Sequence, residues 1–301
     1  MNYKIGIDGG GTKTECILVD AAGAIVARRL APGCNPNVVG LEQARAIVTA
    51  AMQGLILDSK IDTHATPVAA TRLYMAGQPA FWQEFAATLA GCGRVTAAPD
   101  SLPALELATG GAPGLVLHAG TGSFVAARAP DGAIHYAGGT GWRFGDPGSG
   151  YELGRRAIAR ALLELQGWLP PSLLGPAVRG HTQLGENADV RAVTRFYYSH
   201  PEPNRAIASL APAVLRLASE GDAVAREVAA ASAGELLELA DRVAEKLFPG
   251  VAPARIPAGL SGALLNHPIV AAALAARTTL ALTPITDPPI EGVRRLLVRE
   301  R

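Results

Sequence analysis

The stretch Ile5-Gly6-Ile7-Asp8-Gly9-Gly10-Gly11-Thr12-Lys13-Thr14 decides the fold of this chain. An apolar alternation runs into one aspartate, three glycines and two threonines, and a second apolar run at 16–19 leads out again. This pattern predicts a β-hairpin with a glycine-rich tip. Glycines let a phosphate approach the backbone N–H groups, and Thr12 and Thr14 add hydroxyl donors. A carboxylate repels a polyphosphate unless a cation lies between them. Asp8 is therefore predicted to be a partner of hydrated Mg²⁺.

Two other phosphate loops do not fit this stretch. The P-loop requires lysine after its second glycine, where this chain has Thr12. The dinucleotide-binding fingerprint requires a helix after the glycines, whereas residues 15–20 alternate like a strand and a further strand follows at 24–30. A tight hairpin without a ligand remains the alternative at this stage.

Composition sets limits on the function. A length of 301 residues favours two domains. Because 27 basic residues balance 26 acidic ones and the basic pairs are scattered, a nucleic-acid or anionic-membrane surface is not expected. Cys16, Cys34 and Cys92 show no CxxC spacing, which indicates neither a disulfide framework nor a zinc site. We therefore expect a soluble protein in a reducing cytoplasm, with no signal peptide and no membrane span.

The opening pattern is repeated in the middle of the chain. After a cluster of breakers at 110–113, an apolar strand at 114–118 leads into a second glycine and hydroxyl turn, Gly120-Thr121-Gly122-Ser123, and a further strand at 124–129. This echo predicts two related domains, 1–113 and 114–301, with the last helix packing back on the first. Two halves that each offer a hairpin to phosphate would place a nucleotide between them.

Several further stretches carry candidate ligands. Asn35 and Asn37 lie in a loop, where they are either ligand contacts or turn-forming asparagines. Asp100 follows a strand at 94–97 and precedes a helix at 102–108, so it is either a helix N-cap or a catalytic carboxylate. Asp146 lies in the glycine-rich stretch 138–150, ahead of a helix at 151–165, so it is an N-cap or a hydroxyl acceptor.

The remainder is rich in alanine and leucine and is predicted to be largely helical, including helices at 206–218 and 223–247. A last α/β unit follows, in which a strand at 255–258 ends in the turn Gly259-Leu260-Ser261-Gly262 at the start of a helix. Such a turn lets a flat purine lie against the backbone, although many strand-to-helix turns look alike.

Four segments in this order resemble a known family: IGIDGGGTKTECILVD, LHAGTGS, GGTGWRFGDPGSGYELG and GLSGALL. Together they look like the N-acetylglucosamine kinase group of the BadF/BadG/BcrA/BcrD ATPase family, within the sugar kinase, Hsp70 and actin superfamily. The resemblance covers essentially the whole chain. It implies an α/β protein of two ribonuclease H-like, actin-like domains with a nucleotide-binding cleft between them, and a homodimer that uses ATP and Mg²⁺ to phosphorylate an amino sugar.

The resemblance also implies roles for individual residues. Asp100 would be the general base that takes the proton of the sugar hydroxyl, although Asp146 stays open for that role. The remaining implied site residues are, for nucleotide phosphate, Asp8, Gly10, Gly11, Thr12, Lys13, Thr14, Gly120, Thr121, Gly122 and Ser123; for adenosine, Gly259, Ser261 and Gly262; and for the sugar, Asn35, Thr121, Gly139, Gly141 and Asp146.

Two departures from the family pattern concern the expected sugar pocket. Thr140 stands where the family commonly has tryptophan, and Pro147 stands where it has glutamate. The expected substrate is N-acetylglucosamine, with glucosamine as the nearest alternative. An ATPase activator that holds an iron–sulfur cluster is disfavoured because the cysteines are not closely spaced. A transcription factor with a kinase-like domain is disfavoured because no helix-turn-helix segment or basic surface is predicted.

Overall fold

The computed structural model describes residues 3–61, 67–185 and 187–299. The chain forms two compact units. One contains the residues up to Gly110 together with those from Asp287 onward, and the other contains Gly111–Thr286. The first unit thus ends inside the predicted breaker cluster, and the final helix belongs to the first unit.

Most strands lie where the sequence pattern predicts them, and the strand Pro257–Ser261 is the exception. Across the described residues they are β1 (Tyr3–Gly9), β2 (Lys13–Val19), β3 (Ile25–Pro32), β4 (Val68–Met75), β5 (Arg94–Pro99), β6 (Gly114–Ala119), β7 (Ser123–Arg128), β8 (Ile134–Gly138), β9 (Pro257–Ser261) and β10 (Ala281–Pro284). The helices are α1 (Pro36–Val39), α2 (Leu41–Ser59), α3 (Pro79–Thr88), α4 (Ser101–Thr109), α5 (Gly150–Leu165), α6 (Leu174–Thr182), α7 (Val190–Ser199), α8 (Pro203–Ala208), α9 (Ala211–Glu220), α10 (Ala223–Leu247), α11 (Pro268–Ala275) and α12 (Pro289–Arg299). No helix of the described part of the chain is long and apolar enough to span a membrane.

The two sheets have the same internal order. The first runs β3-β2-β1-β4-β5, and the second runs β8-β7-β6-β9-β10. In each, the first strand of the unit lies in the centre, pairs antiparallel with the next strand in the chain and pairs parallel with the fourth. The repetition seen in the sequence is therefore a repetition of topology, and the α/β class with two mixed sheets is confirmed.

Apolar side chains pack both sheets against helices. One face of the first sheet packs on α2 and α3, and the other packs on α12, where Val293 and Leu297 meet Ile17. Gly6 permits this approach, because a Cβ there would lie 2.4 Å from Cγ1 of Val293. In the second unit a core of leucine, alanine and valine side chains joins one face of its sheet to helices that include α5, α9 and α10. Burial of these apolar side chains stabilises both units.

Two predicted elements differ from the structure. The helix expected at 206–218 is two helices, α8 and α9, because Pro212 lies in the first turn of α9, where its missing N–H is tolerated. The turn expected at Gly259–Gly262 is mostly strand: Gly259 lies in β9 between Val116 and Thr283, and α11 begins only at Pro268. Backbone pairing with two neighbouring strands extends β9 to Ser261.

Candidate functional site

The tip of the first hairpin is formed by Gly10 to Lys13. Gly9 pairs with Thr14 at the end of the ladder, and the N–H of Gly10 donates to the carbonyl of Lys13 at 3.0 Å. Gly11, Thr12 and Lys13 are exposed. Thr14 is fully buried, and its hydroxyl donates to the carbonyl of Pro32 at 2.8 Å. The structure thus leaves the backbone of the tip accessible to a ligand but uses the Thr14 hydroxyl within the fold.

A second segment supports this tip. The N–H of Cys34 donates to the carbonyl of Gly10 at 3.0 Å. A Cβ on Gly33 would lie 2.2 Å from the carbonyl oxygen of Gly11, so only glycine fits there. The next residue, Asn35, accepts the N–H of Asn37 at 3.0 Å and caps α1. The turn-forming role of Asn35 is therefore realised, which leaves its amide nitrogen as the main group to offer a sugar.

Two carboxyl groups of the first unit influence each other. Asp8 lies on β1, and Asp100 directly follows β5. Burial raises the pKa of Asp8 to about 7, with the charge of Asp100 adding to the rise and that of Lys13 opposing it. Burial also raises the pKa of Asp100 to about 6, against the effect of the N–H groups of Asp100 and Ser101. Half-buried carboxyls with raised pKa values favour a proton or a cation at this place.

Asp100 occupies the N-cap position of α4, but its side chain makes no capping hydrogen bond. The carboxylate therefore does not serve the helix in the way that a structural N-cap does. A half-buried carboxyl group with a raised pKa and no capping bond is a candidate for acid–base chemistry.

Asp8 offers a carboxylate oxygen, the kind of ligand that Mg²⁺ prefers, in a buried position where a cation would offset the charge. No group of three or more His, Cys, Asp or Glu side chains arranged to hold a metal occurs among the residues that the structure describes. Mg²⁺ does not need such a group, since one or two carboxylates, water and substrate phosphates usually hold it. The donor set around Asp8 therefore fits hydrated Mg²⁺ and does not fit a metal held entirely by protein ligands.

The second hairpin has a similar tip, made by Gly120, Thr121 and Gly122. Ala119 pairs with Ser123, and the N–H of Gly120 donates to the carbonyl of Gly122 at 2.8 Å. Gly120 and Thr121 are exposed. Ser123 is buried, and its hydroxyl donates to the carbonyl of Pro147 at 2.6 Å. As in the first hairpin, the backbone is available at the tip while the hydroxyl at its base is used by the fold.

Asp146 lies against this hairpin. A Cβ on Gly122 would lie 3.0 Å from Oδ2 of Asp146. Oδ1 accepts the N–H of Gly141 at 3.2 Å, which folds the glycine-rich loop over the carboxylate. Burial raises the pKa of Asp146, while the N–H groups of Gly141 and Ser123 lower it. The structure thus places Asp146, Gly141 and the second hairpin together, with Gly139 in left-handed backbone (φ 69°) two residues before Gly141.

The N-cap role considered for Asp146 is wrong. Ser149 caps α5, since its hydroxyl accepts the N–H of Glu152 at 3.1 Å. The carboxylate of Asp146 is therefore not used by the helix, and its described partners are the N–H groups of Gly141 and Ser123.

The last predicted motif meets the second hairpin through Gly262. This residue adopts φ 96°, and a Cβ would lie 2.1 Å from the carbonyl oxygen of Ala119. Gly259 and Ser261 lie in β9, paired with Val116 and His118 of β6. The glycine-rich turn is therefore built around one glycine, Gly262, and the other two residues belong to the sheet.

His118 lies beside the second hairpin and is a candidate that the sequence analysis did not identify. It lies in β6 one pair before the tip of the second hairpin, with Phe124 and Ser261 beside it in the neighbouring strands. Its Nδ1 lies 3.0 Å from Oγ of Ser261. The signal was present in the sequence, because His118 precedes the second hairpin as Asp8 precedes the first.

Comparisons with known proteins agree with this arrangement. N-acetyl-D-glucosamine kinase from Dictyostelium discoideum is 28% identical over 255 residues, which cover 81% of this chain and 79% of the relative. Glucosamine kinase from Vibrio cholerae is 27% identical over 238 residues, 78% of each chain. The solved structure of a candidate N-acetylglucosamine kinase from Chromobacterium violaceum has a TM-score of 0.79 at 26% identity and covers 99% of both chains.

The likeness to this structure extends over both units, which supports two actin-like domains. A family model matches residues 5–256, from the first strand to the residue before β9, and so includes both hairpins, Asp100 and Asp146. The chain therefore belongs to the BadF/BadG/BcrA/BcrD ATPase family.

Proposed function

We propose that this protein is an ATP-dependent amino-sugar kinase that converts N-acetylglucosamine to N-acetylglucosamine 6-phosphate. One observation carries the proposal: Asp8 and Asp100, two half-buried carboxyls with raised pKa values, lie in the unit that presents the first glycine-rich hairpin. Phosphoryl transfer needs backbone donors for phosphate, a cation and a carboxylate that orients the attacking hydroxyl. The similarity to amino-sugar kinases supports the same reading.

In this proposal Asp100 is the general base. Its pKa of about 6 keeps it ionised at neutral pH, while its affinity for a proton exceeds that of an ordinary aspartate. The side chain makes no capping bond to α4, and its carboxylate would orient a substrate hydroxyl while the N–H groups of Asp100 and Ser101 stabilise its charge. Asp100 would accept the proton of the sugar 6-hydroxyl as that oxygen attacks the terminal phosphate of ATP.

Asp8 would hold Mg²⁺ through water, and the ion would neutralise charge on the phosphates. The exposed backbone at Gly11 and Thr12 and at Thr121 would offer N–H groups to phosphate oxygens, and Gly120, whose own N–H closes the second hairpin, would let the phosphate approach. Lys13 is exposed, and its Nζ lies 3.1 Å from Oε2 of Glu15. It would supply a positive charge beside the first hairpin.

Asp146 would accept sugar hydroxyls, assisted by Thr121 and by the backbone at Gly139 and Gly141, with Asn35 contributing its amide nitrogen. Thr140 supports this loop, because its hydroxyl donates to the carbonyl of Gly145 at 3.0 Å. A small polar side chain therefore takes the place of the tryptophan common in the family. This change affects sugar selectivity, since pocket contacts of this size discriminate between substrates by about tenfold or more.

Glucosamine is the second candidate substrate, favoured by the similarity to a glucosamine kinase. The activator reading is not favoured by the cysteines. Burial raises the pKa of the Cys16 thiol to about 12 and that of Cys34 to about 11, and it also raises the pKa of Cys92. Iron–sulfur ligation needs thiolates, which burial opposes here. The homodimer and the cytoplasmic location remain predictions.

The proposal is tested by a coupled assay of ADP release with Mg-ATP and a panel of sugars: N-acetylglucosamine, glucosamine, N-acetylmannosamine, glucose and none. We expect release that depends on N-acetylglucosamine, with the 6-phosphate identified by mass and NMR. Preference for glucosamine would change the substrate. ADP release that is equal with every sugar and without sugar would refute the kinase proposal.

A matched pair of variants connects the assay to the site. Asp100→Asn should abolish most sugar-dependent release, whereas Asp131→Asn should retain it. Asp131 is exposed, and its carboxylate accepts the N–H of Ala133 in the turn before β8. Equal loss in both variants would indicate damage to folding instead of loss of a catalytic group.

A further inference from the structure

His118 lies in a cross-strand row at the end of the second sheet. Phe124 in β7 and Ser261 in β9 are its direct neighbours. The imidazole stacks on the ring of Phe124, with centroids 4.9 Å apart and planes at 18°. Its Nδ1 lies 3.0 Å from Oγ of Ser261. Stacking and a hydrogen bond together hold the ring in one orientation.

The repeated topology makes the position of His118 equivalent to that of Asp8. Asp8 lies in the central strand of the first sheet, one pair before the last pair of its hairpin, between β2 and β4. His118 lies in the central strand of the second sheet, one pair before the last pair of its hairpin, between β7 and β9. The fold therefore places His118 in the second unit where the first unit has Asp8.

The second ring nitrogen of His118 lies on the side of the hairpin tip. Nε2 would be 3.4 Å from a Cβ on Gly120. Within residues 3–61, 67–185 and 187–299, the hydrogen bonds of His118 side-chain atoms involve Nδ1 and not Nε2. In the tautomer in which the Ser261 hydroxyl donates to Nδ1, the ring proton lies on Nε2. The imidazole then directs an N–H donor toward the backbone of Gly120.

The ring is neutral in the physiological range. Burial lowers the pKa of His118 to about 4. The side chain therefore acts as a fixed neutral donor beside the hairpin, in the way that a backbone N–H does.

We propose that His118 is a further phosphate-binding residue, which donates its Nε2–H to a nucleotide phosphate bound at the Gly120–Ser123 hairpin. Ser261 and Phe124 act as positioning residues, because they hold the imidazole in the required tautomer and orientation. This inference rests on the proposed use of a nucleotide, but not on the identity of the sugar. It assigns to the second hairpin a side-chain donor in addition to its backbone N–H groups.

The test is a comparison of two variants by calorimetric titration with ADP and with adenosine, without sugar. In His118→Asn the shorter amide keeps a group near the Nδ1 position for Ser261 but removes the donor at Nε2. In His118→Gln the longer amide keeps a donor near the Nε2 position. We expect His118→Asn to weaken ADP binding by about tenfold to a hundredfold, the usual effect of losing a hydrogen bond to a charged group. We expect His118→Gln to restore most of this loss, and both variants to bind adenosine like the wild type.

His181→Asn is the matched control. His181 also contacts a serine, with Nε2 2.9 Å from Oγ of Ser209, and it also stacks on an aromatic ring, that of Tyr197. It lies in α6, outside the proposed nucleotide residues. We expect this variant to bind ADP like the wild type, so that loss of a histidine–serine pair in itself is shown not to affect the nucleotide.

Wild-type affinity for ADP in His118→Asn would overturn the proposal. So would an equal loss of ADP and adenosine, because that result would indicate a reshaped pocket without a phosphate contact. The titration contains no sugar. A wild type that binds ADP but phosphorylates no amino sugar would therefore refute the proposed function and leave the role of His118 to be decided by its variants. A wild type that binds no ADP overturns both.

Discussion

Replacing Asp100 by Asn should separate activity from stability. General-base catalysis contributes about a hundredfold to ten-thousandfold to turnover, so we expect kcat to fall by about that range, equivalent to about 3–5 kcal/mol of transition-state stabilisation. Binding of ATP and sugar should change much less, because the amide keeps the shape of the carboxyl. The coupled ADP assay measures both kcat and KM.

The same substitution should stabilise the metal-free protein at pH 8. Burial raises the pKa of Asp100 from its ordinary value of 3.8 to about 6. Above pH 6 the ionised carboxylate therefore costs at most about 3 kcal/mol of folding free energy. Because the folded pKa is the higher one, stability associated with this group is full below pH 3.8 and is lost as the pH rises through about 6. The asparagine has no such cost.

Urea unfolding in EDTA at several pH values measures this effect. We expect Asp100→Asn to exceed the wild type in free energy of unfolding at pH 8, and the difference to close as the pH falls from 6 toward 4. Loss of stability at pH 8 would refute the argument, because it would mean that the carboxylate supports the fold. Wild-type kcat would refute the catalytic role and leave Asp146 as the candidate base.

Three further sets of predictions concern the first hairpin, the loop before α5 and the metal. Gly33→Ala should lower the melting temperature and weaken ADP binding about tenfold, because its Cβ would lie 2.2 Å from the carbonyl oxygen of Gly11. Calorimetry measures both effects. Gly180→Ala is the control, because a Cβ there would meet nothing within 4 Å. Ser149→Ala should cost about 1 kcal/mol in urea unfolding through loss of the α5 cap, whereas Asp146→Asn should leave stability nearly unchanged and raise the KM for sugar about tenfold. Removing Mg²⁺ with EDTA should abolish turnover, and Asp8→Asn should raise the Mg²⁺ concentration needed for half-maximal rate; an unchanged requirement would contradict the role of Asp8.

Local pattern was enough for much of the fold. The hairpin at Asp8 to Thr14, its echo at Gly120 to Ser123 and the long helix at 223–247 follow from short-range signals: alternation, glycine-rich turns and helical spacing. The break before α9 was also local, because Pro212 favours a new helix start, but the surrounding run of alanine and leucine obscured it.

Only the tertiary structure decided which polar groups the fold uses and which it leaves for a ligand. The sequence allowed Asp146 to be the N-cap of α5, but Ser149 caps this helix, because three residues of loop separate the Asp146 carboxylate from it. Asp8 and Asp100 acquire raised pKa values through burial among residues distant in sequence. His118 meets Ser261 across 143 residues of chain. By itself the sequence determined the two hairpins and most of the strands, since these depend on neighbours in the chain, whereas the extension of β9 to Ser261 depended on pairing with β6 and β10. Charge, tautomer and hydrogen-bond partner depend on neighbours in space, which only the folded sheets bring together.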